Sequence, residues 1–167
     1  MKGVMAVTED TYGGEAVKRL LNLLKEKGIV REEVNVDSHS VGGKGNVVST
    51  KTAKIVQTSL AKGFHMVLIL VDSDREKPED VRRRVLEFLG GKQGIDLERV
   101  RVVVFSPYIE RLLAPDADDP ISHLNAQWGY KNEYKKSDLP KLISRVDLNA
   151  VRRLPCFQEL VDALNDP

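Results

Sequence analysis

Five consecutive aliphatic residues, Val67-Leu68-Ile69-Leu70-Val71, run without polar interruption and then stop in acids at alternate positions, Asp72, Asp74 and Glu76. An unbroken apolar run of this kind predicts a strand over residues 66–71 that is covered on both faces, as in the middle of a parallel sheet. Shorter apolar segments bracket it. Residues 3–8 predict a first strand ending at Glu9 and Asp10, after which Gly13 and Gly14 read as a turn. Glu15 then opens a helix whose inner stripe is Val17, Leu20, Leu21 and Leu24, with Gly28 as its terminator. Val34-Asn35-Val36 predicts a second strand, leading into a polar, glycine-rich loop over residues 37–46. Residues 47–62 predict a helix facing inward through Ala53, Ile55, Val56, Leu60 and Ala61.

Beyond the central run, Pro78 suits an early helical position, and Glu79 and Asp80 suit the positive end of the helix dipole. Val81, Val85, Leu86 and Leu89 form that helix's stripe, and Gly90-Gly91 end it. Residues 100–105 predict another buried strand, and residues 109–114 a short helix that includes Glu110. The stretch 115–136 mixes acids, aromatics and lysines and is expected to be irregular, whereas 139–143 and 155–164 read as helices. The alternation of strands and helices predicts an α/β fold: a mainly parallel central sheet of about four strands flanked by helices. A single domain over residues 1–167, with a helical C-terminal extension from about residue 120, is the simplest description.

Composition narrows the classes further. Charged residues make up 31% of the 167 residues and leave a formal net charge of +1, which argues against a simple basic nucleic-acid coat protein. The single cysteine, Cys156, leaves no intramolecular disulfide or cysteine zinc cluster. No apolar run approaches the roughly 18 residues of a membrane span, and the N-terminus lacks a signal peptide's hydrophobic core. The expectation is a soluble cytoplasmic protein.

The acids carry the chemistry. Side chains at alternate positions of an extended chain share a face, so Asp72, Asp74 and Glu76 are expected to converge at the carboxyl end of their strand, where α/β sheets place ligands. Glu9 ends the first strand and Glu110 follows the fourth, so the topology brings both to the same edge. Such a cluster calls for a neutralising cation, and all-oxygen ligation suits Mg²⁺ or Mn²⁺. The segment Gly42-Gly43-Lys44-Gly45-Asn46-Val47 resembles a phosphate-binding loop, being rich in glycine and placed before a helix N-terminus, but it is not a Walker A motif. Its alternative reading is a flexible connection. His39, His65 and His123 show no ligand spacing, Ser106 lacks the glycines of a nucleophile elbow, and Cys156 reads as a buried thiol. Trp128, Tyr130 and Tyr134, interleaved with Lys131, Lys135 and Lys136, suit either base stacking or a cap over the core. Arg82-Arg83-Arg84 with Lys77 reads as the solvated face of a helix.

Ala6-Val7-Thr8-Glu9 before a helix, followed later by Leu68-Ile69-Leu70-Val71-Asp72-Ser73-Asp74, resembles the Toprim domain of topoisomerases, bacterial primases and OLD-type nucleases. The stand-alone Toprim-like proteins of the domain-of-unknown-function 4276 family look closer still. They are similar in the Gly42-Gly43-Lys44-Gly45 loop and in the segment Ser106-Pro107-Tyr108-Ile109-Glu110-Arg111. They are similar too at Tyr134-Lys135-Lys136 and at the ending Leu154-Pro155-Cys156-Phe157. The resemblance runs over almost the whole chain. It implies a Mg²⁺- or Mn²⁺-dependent nuclease or other nucleic-acid-processing protein. DNA or RNA would be its partner, with an ATPase as the kind of protein partner expected. Glu9 would bind metal or transfer a proton, Asp72 and Asp74 would be the paired ligands, Glu110 a later metal-binding acid and Lys136 the late catalytic lysine. Glu15, Glu76, Lys44 and Lys135 are weaker matches, and Asp10 stands where the family places glycine. Two other classes compete. One is a receiver-type module with Glu9-Asp10 as acidic pair, Asp72 as phospho-acceptor and Ser106 as switch hydroxyl. The other is a non-catalytic subunit that keeps the metal site.

Overall fold

The computed structural model describes residues 1–128 and 133–166. Four strands carry the fold: β1 (Lys2–Thr8), β2 (Val34–Ser40), β3 (Met66–Asp72) and β4 (Val100–Phe105). Between them run α1 (Thr11–Glu26), α2 (Thr50–Ala61) and α3 (Pro78–Gly90). After β4 come α4 (Pro120–Trp128), α5 (Leu139–Ile143), α6 (Leu148–Val151) and α7 (Pro155–Asn165). Among the described residues every strand pair is parallel, and the sheet order is β2-β1-β3-β4. This is the expected α/β architecture with its helical C-terminal extension.

The central strand owes its place to its composition. Met66 through Val71 are all buried, and alternate side chains feed two separate cores. Met66, Leu68 and Leu70 join Val4, Ala6, Val103 and Phe105 beneath α1, α5 and α7. Val67, Ile69 and Val71 join Val7, Val102 and Val104 beneath α2 and α3. The strand order reverses between β1 and β3, so the carboxyl ends of these two strands open a crevice of the kind in which α/β sheets bind ligands.

Several boundaries differ from the sequence reading, each for a local reason. Helix α1 starts at Thr11 rather than Glu15, because Asp10 caps it by accepting the Gly13 N–H at 2.8 Å. Gly13 and Gly14 are therefore helical and buried, and Gly14 is where α1 crosses β2: a Cβ there would lie 2.7 Å from Ser38 Oγ. Strand β2 continues to Ser40 through residues assigned to a loop, pairing with β1 as far as Thr8. Helix α2 starts at Thr50 under a Ser49 cap, and Lys44–Asn46 form a separate 3-10 turn. Ile109–Leu112 is likewise a 3-10 turn, and α4 lies within the stretch expected to be irregular.

At the β4 edge two arginines close on the strand. Arg82 Nε donates to the Val102 carbonyl at 3.3 Å, and Arg101 Nη1 to the Val100 carbonyl at 3.2 Å. Arg82 also pairs with Glu159 at 2.6 Å, tying α3 to α7. Cys156 is buried, as expected, and its burial pushes the thiol up to about 11. No helix among the described residues is long and apolar enough to cross a membrane.

Candidate functional site

The crevice between β1 and β3 holds a cavity of about 20 Å³, the space of a single water. Thr8, Glu9 and Asp10 line it from the end of β1, Leu70 and Asp72 from β3, and Ile109 and Lys136 from the segments that follow β4. The backbone of each connection is stitched to the next. The Asp72 N–H donates to Glu9 Oε1 at 3.5 Å, and the Ile109 N–H donates to Asp72 Oδ1 at 2.9 Å. The loop after β2 crosses the end of β1, with the Gly43 N–H on the Glu9 carbonyl at 2.9 Å. The Ser73 and Asp74 N–H groups reach the Phe105 and Pro107 carbonyls. Glu9 and Asp72, expected at this edge from the ends of their strands, do meet there.

Glu110 lies one step behind the cavity wall. It is 1% exposed, and its Oε1 accepts both the Tyr134 hydroxyl at 3.1 Å and the Lys136 ammonium at 2.9 Å. Its other oxygen, Oε2, is buried with no hydrogen-bond partner among the described residues. Burial first, and then the charges of Glu9 and Glu110, push the Asp72 carboxyl up to about 8. The Lys136 ammonium and the Ile109 N–H act against that rise and do not cancel it. Burial also works against the Lys136 ammonium, but Glu110, Asp72 and Asp10 outweigh it and hold that group above the usual lysine range. Tyr134 is pushed up by burial and by the Glu110 charge.

The remaining sequence candidates separate. Asp74 is half-buried and does not line the cavity. Its φ of 56° turns the chain out of the extended conformation, so the alternation that should have aligned three acids ends with Asp72. Glu76 is exposed in consequence and pairs with Arg84 at 2.5 Å. Glu15 is exposed on α1, and Lys135 is exposed with its backbone N–H on Asp138. The side chains of Lys44 and Trp128, together with Tyr130 and Lys131, lie outside the described residues. No histidine lines the cavity. Tyr134 belongs to the site but was only an alternative in the sequence, where its one signal is its place two residues before Lys136. The role of Asp10 as a helix cap also explains why a carboxylate can stand there: it spends itself on Gly13.

Among the described residues, no three histidine, cysteine, aspartate or glutamate side chains are gathered into a ready metal-ligand group. What the crevice does hold is a group of hard oxygen donors. Glu9, Asp72 and Glu110 act on one another with Lys136 as the ammonium among them, and one buried carboxylate oxygen is left without a donor. Carboxylate oxygens are the hard donors that Mg²⁺ and Mn²⁺ take, but as they stand these three do not form a ligand group.

No family model matches this chain, and no curated protein matches it. Among solved structures, it is similar to the crystal structure of YfkJ from Bacillus subtilis. The TM-score is 0.35 at 14% identity, over 93% of this chain and 97% of that one. A likeness that slight carries no chemistry across.

Proposed function

We propose that this chain is a Toprim-like, Mg²⁺- or Mn²⁺-dependent phosphodiesterase that acts on nucleic acid. The observation that carries the reading is the meeting of Glu9 and Asp72, from different strands, at the point where the sheet order reverses, with Glu110 and Lys136 closing behind them. A polyanionic backbone would present one phosphate to this crevice. Asp72 and Glu9, which line the crevice, would hold the cation. When bound, the cation supplies charge neutralisation at the phosphate and lowers the pKa of attacking water. Glu9, which lines the cavity from the end of β1, suits proton transfer at the attacking or leaving oxygen. The Lys136 ammonium suits stabilisation of negative charge on the phosphoryl oxygens, since Glu110 keeps it fixed in a partly dry site.

The test is cleavage of plasmid, single-stranded DNA and structured RNA, each with Mg²⁺, Mn²⁺ or chelator. The wild type should cut at least one of them, and only with metal. Glu9→Gln should fold normally, judged by circular dichroism, and lose at least about tenfold of that activity, because general acid–base groups contribute roughly 10²–10⁴-fold. Equal cutting by Glu9→Gln would mean that the chemistry has been given to the wrong residues. If the wild type cuts nothing under any condition, a non-catalytic metal-binding subunit becomes the better reading. An acid-labile phosphate on Asp72 after exposure to a small phosphodonor would favour the receiver instead. Against that last outcome, the Asp72 carboxylate is recessed and already engaged by the Ile109 N–H.

A further inference from the structure

The segment Tyr134-Lys135-Lys136 reaches the site in a way that neither the acids nor the sheet explains. Lys135 is extended, with φ −122° and ψ 148°, so its two neighbours project to the same side while its own side chain faces solvent. Both neighbours converge on a single atom, Glu110 Oε1. Glu110 is 1% exposed and Tyr134 is 9% exposed, so the Tyr134–Glu110 bond is made almost out of water, while the Lys136 side chain stays partly exposed. The terminal torsion of a glutamate is broad and two-fold, and one donor alone would leave the carboxylate free to exchange its oxygens. The lysine stem adds further freedom of its own. A second, rigid donor removes that freedom: it commits Oε1 to the ammonium and leaves Oε2 facing away from both donors. A phenylalanine would fill the same space without doing so.

We infer that Tyr134 is a positioning residue, whose hydroxyl locks Glu110 so that Lys136 is held at the edge of the Asp72 cavity. The inference takes from the proposed phosphodiester chemistry the use to which the ammonium is put; the way the ammonium is held does not depend on it. Tyr134 does not line the cavity, and the role inferred for it is exerted through Glu110.

The experiment compares two neighbouring lysines. The folded protein is labelled briefly with acetic anhydride, and the labelled fractions of Lys136 and Lys135 are read by peptide mass spectrometry, with exposed Lys135 as internal reference. In the wild type, Lys136 should react at least about tenfold more slowly than Lys135, the scale of one charge-assisted hydrogen bond. Tyr134→Phe keeps the ring and should keep the circular dichroism spectrum, yet narrow the gap at least about threefold. Glu110→Gln should narrow it as well, and Tyr134→Phe added to Glu110→Gln should change nothing more. An unchanged gap in Tyr134→Phe overturns the inference, and so does an equal effect of Tyr134→Phe with and without Glu110. On any nucleic acid that the wild type cuts, Tyr134→Phe should lower kcat with KM within about twofold, since an interaction used only in the transition state is lost. If the wild type cuts nothing, the proposed function falls and the labelling still decides the role of Tyr134.

Discussion

Asp72 is a carboxyl group that folding obliges to keep its proton. Its ordinary value is 3.8, and in the fold it rises to about 8, through burial reinforced by Glu9 and Glu110. Between those values the native state carries a proton that the unfolded chain has released, so stability must fall as pH rises. The contribution of the neutral carboxyl is fully present below the unfolded value and is lost as pH rises through about 8. Asp72→Asn cannot ionise, so thermal melts should show its Tm gaining on the wild type between pH 5 and pH 9; parallel curves would show that Asp72 titrates normally. The same proton opposes a cation. Mn²⁺ binding followed by calorimetry should therefore strengthen from pH 6 to pH 8 and release protons, seen as a heat that depends on the buffer. Equal Mn²⁺ binding by the wild type and by the Asp72→Ala, Asp74→Ala double variant would remove the shared site altogether. Asp72 and Glu9 were legible in the sequence because an aliphatic run that ends abruptly in an acid marks the mouth of a buried strand. Glu76 was misread because alternation holds only while the backbone stays extended, and Asp74 turns it at φ 56°.

Helix α1 and strand β2 meet at closer range than any side chain on α1 would allow. A Cβ at position 14 would lie 2.7 Å from Ser38 Oγ and 2.9 Å from Ser38 Cβ; the hydroxyl can rotate away, but the Cβ is fixed to the backbone. Gly14→Ala should therefore destabilise the protein by ~1–3 kcal/mol in chemical denaturation, the usual cost of overpacking. Removing the obstacle with Ser38→Gly should recover part of that loss, and a cost that Ser38→Gly leaves untouched would place its origin elsewhere. The same glycines explain why the start of α1 was misplaced. A Gly-Gly pair reads locally as a turn, and its true reason, a strand crossing 24 residues away in the chain, cannot be seen in a short window. Strand β2 was read short for a related reason. Its burial alternates, and Asp37, Ser38, His39 and Ser40 carry no apolar signal although their backbone pairs fully with β1. The buried strands β3 and β4 were plain by contrast, because burial on both faces demands an unbroken aliphatic run.

At the scale of the whole molecule, the C-terminal helices are structural members of the core beneath α1. Leu139, Ile143, Leu160 and Leu164 are essentially buried in it alongside Leu20, Leu24 and Leu68. Leu160→Ala should cost ~2–5 kcal/mol of stability, read as a fall in the denaturant midpoint, and a cost near zero would mean that α7 is only loosely laid on the sheet. The helical character of this extension was legible from its apolar spacing, but its second duty was not. That Tyr134 and Lys136 close on Glu110 depends on a return of the chain to the turn that follows β4, which no local pattern announces. The β4 edge itself has a consequence for how copies of this protein behave in a crowded solution. A bare outer strand is a template onto which another chain can hydrogen-bond, and repeated addition of that kind ends in insoluble fibres. Here the Val100 and Val102 carbonyls are already taken by Arg101 and Arg82, so an incoming strand would have to evict two guanidinium groups to reach those two acceptors.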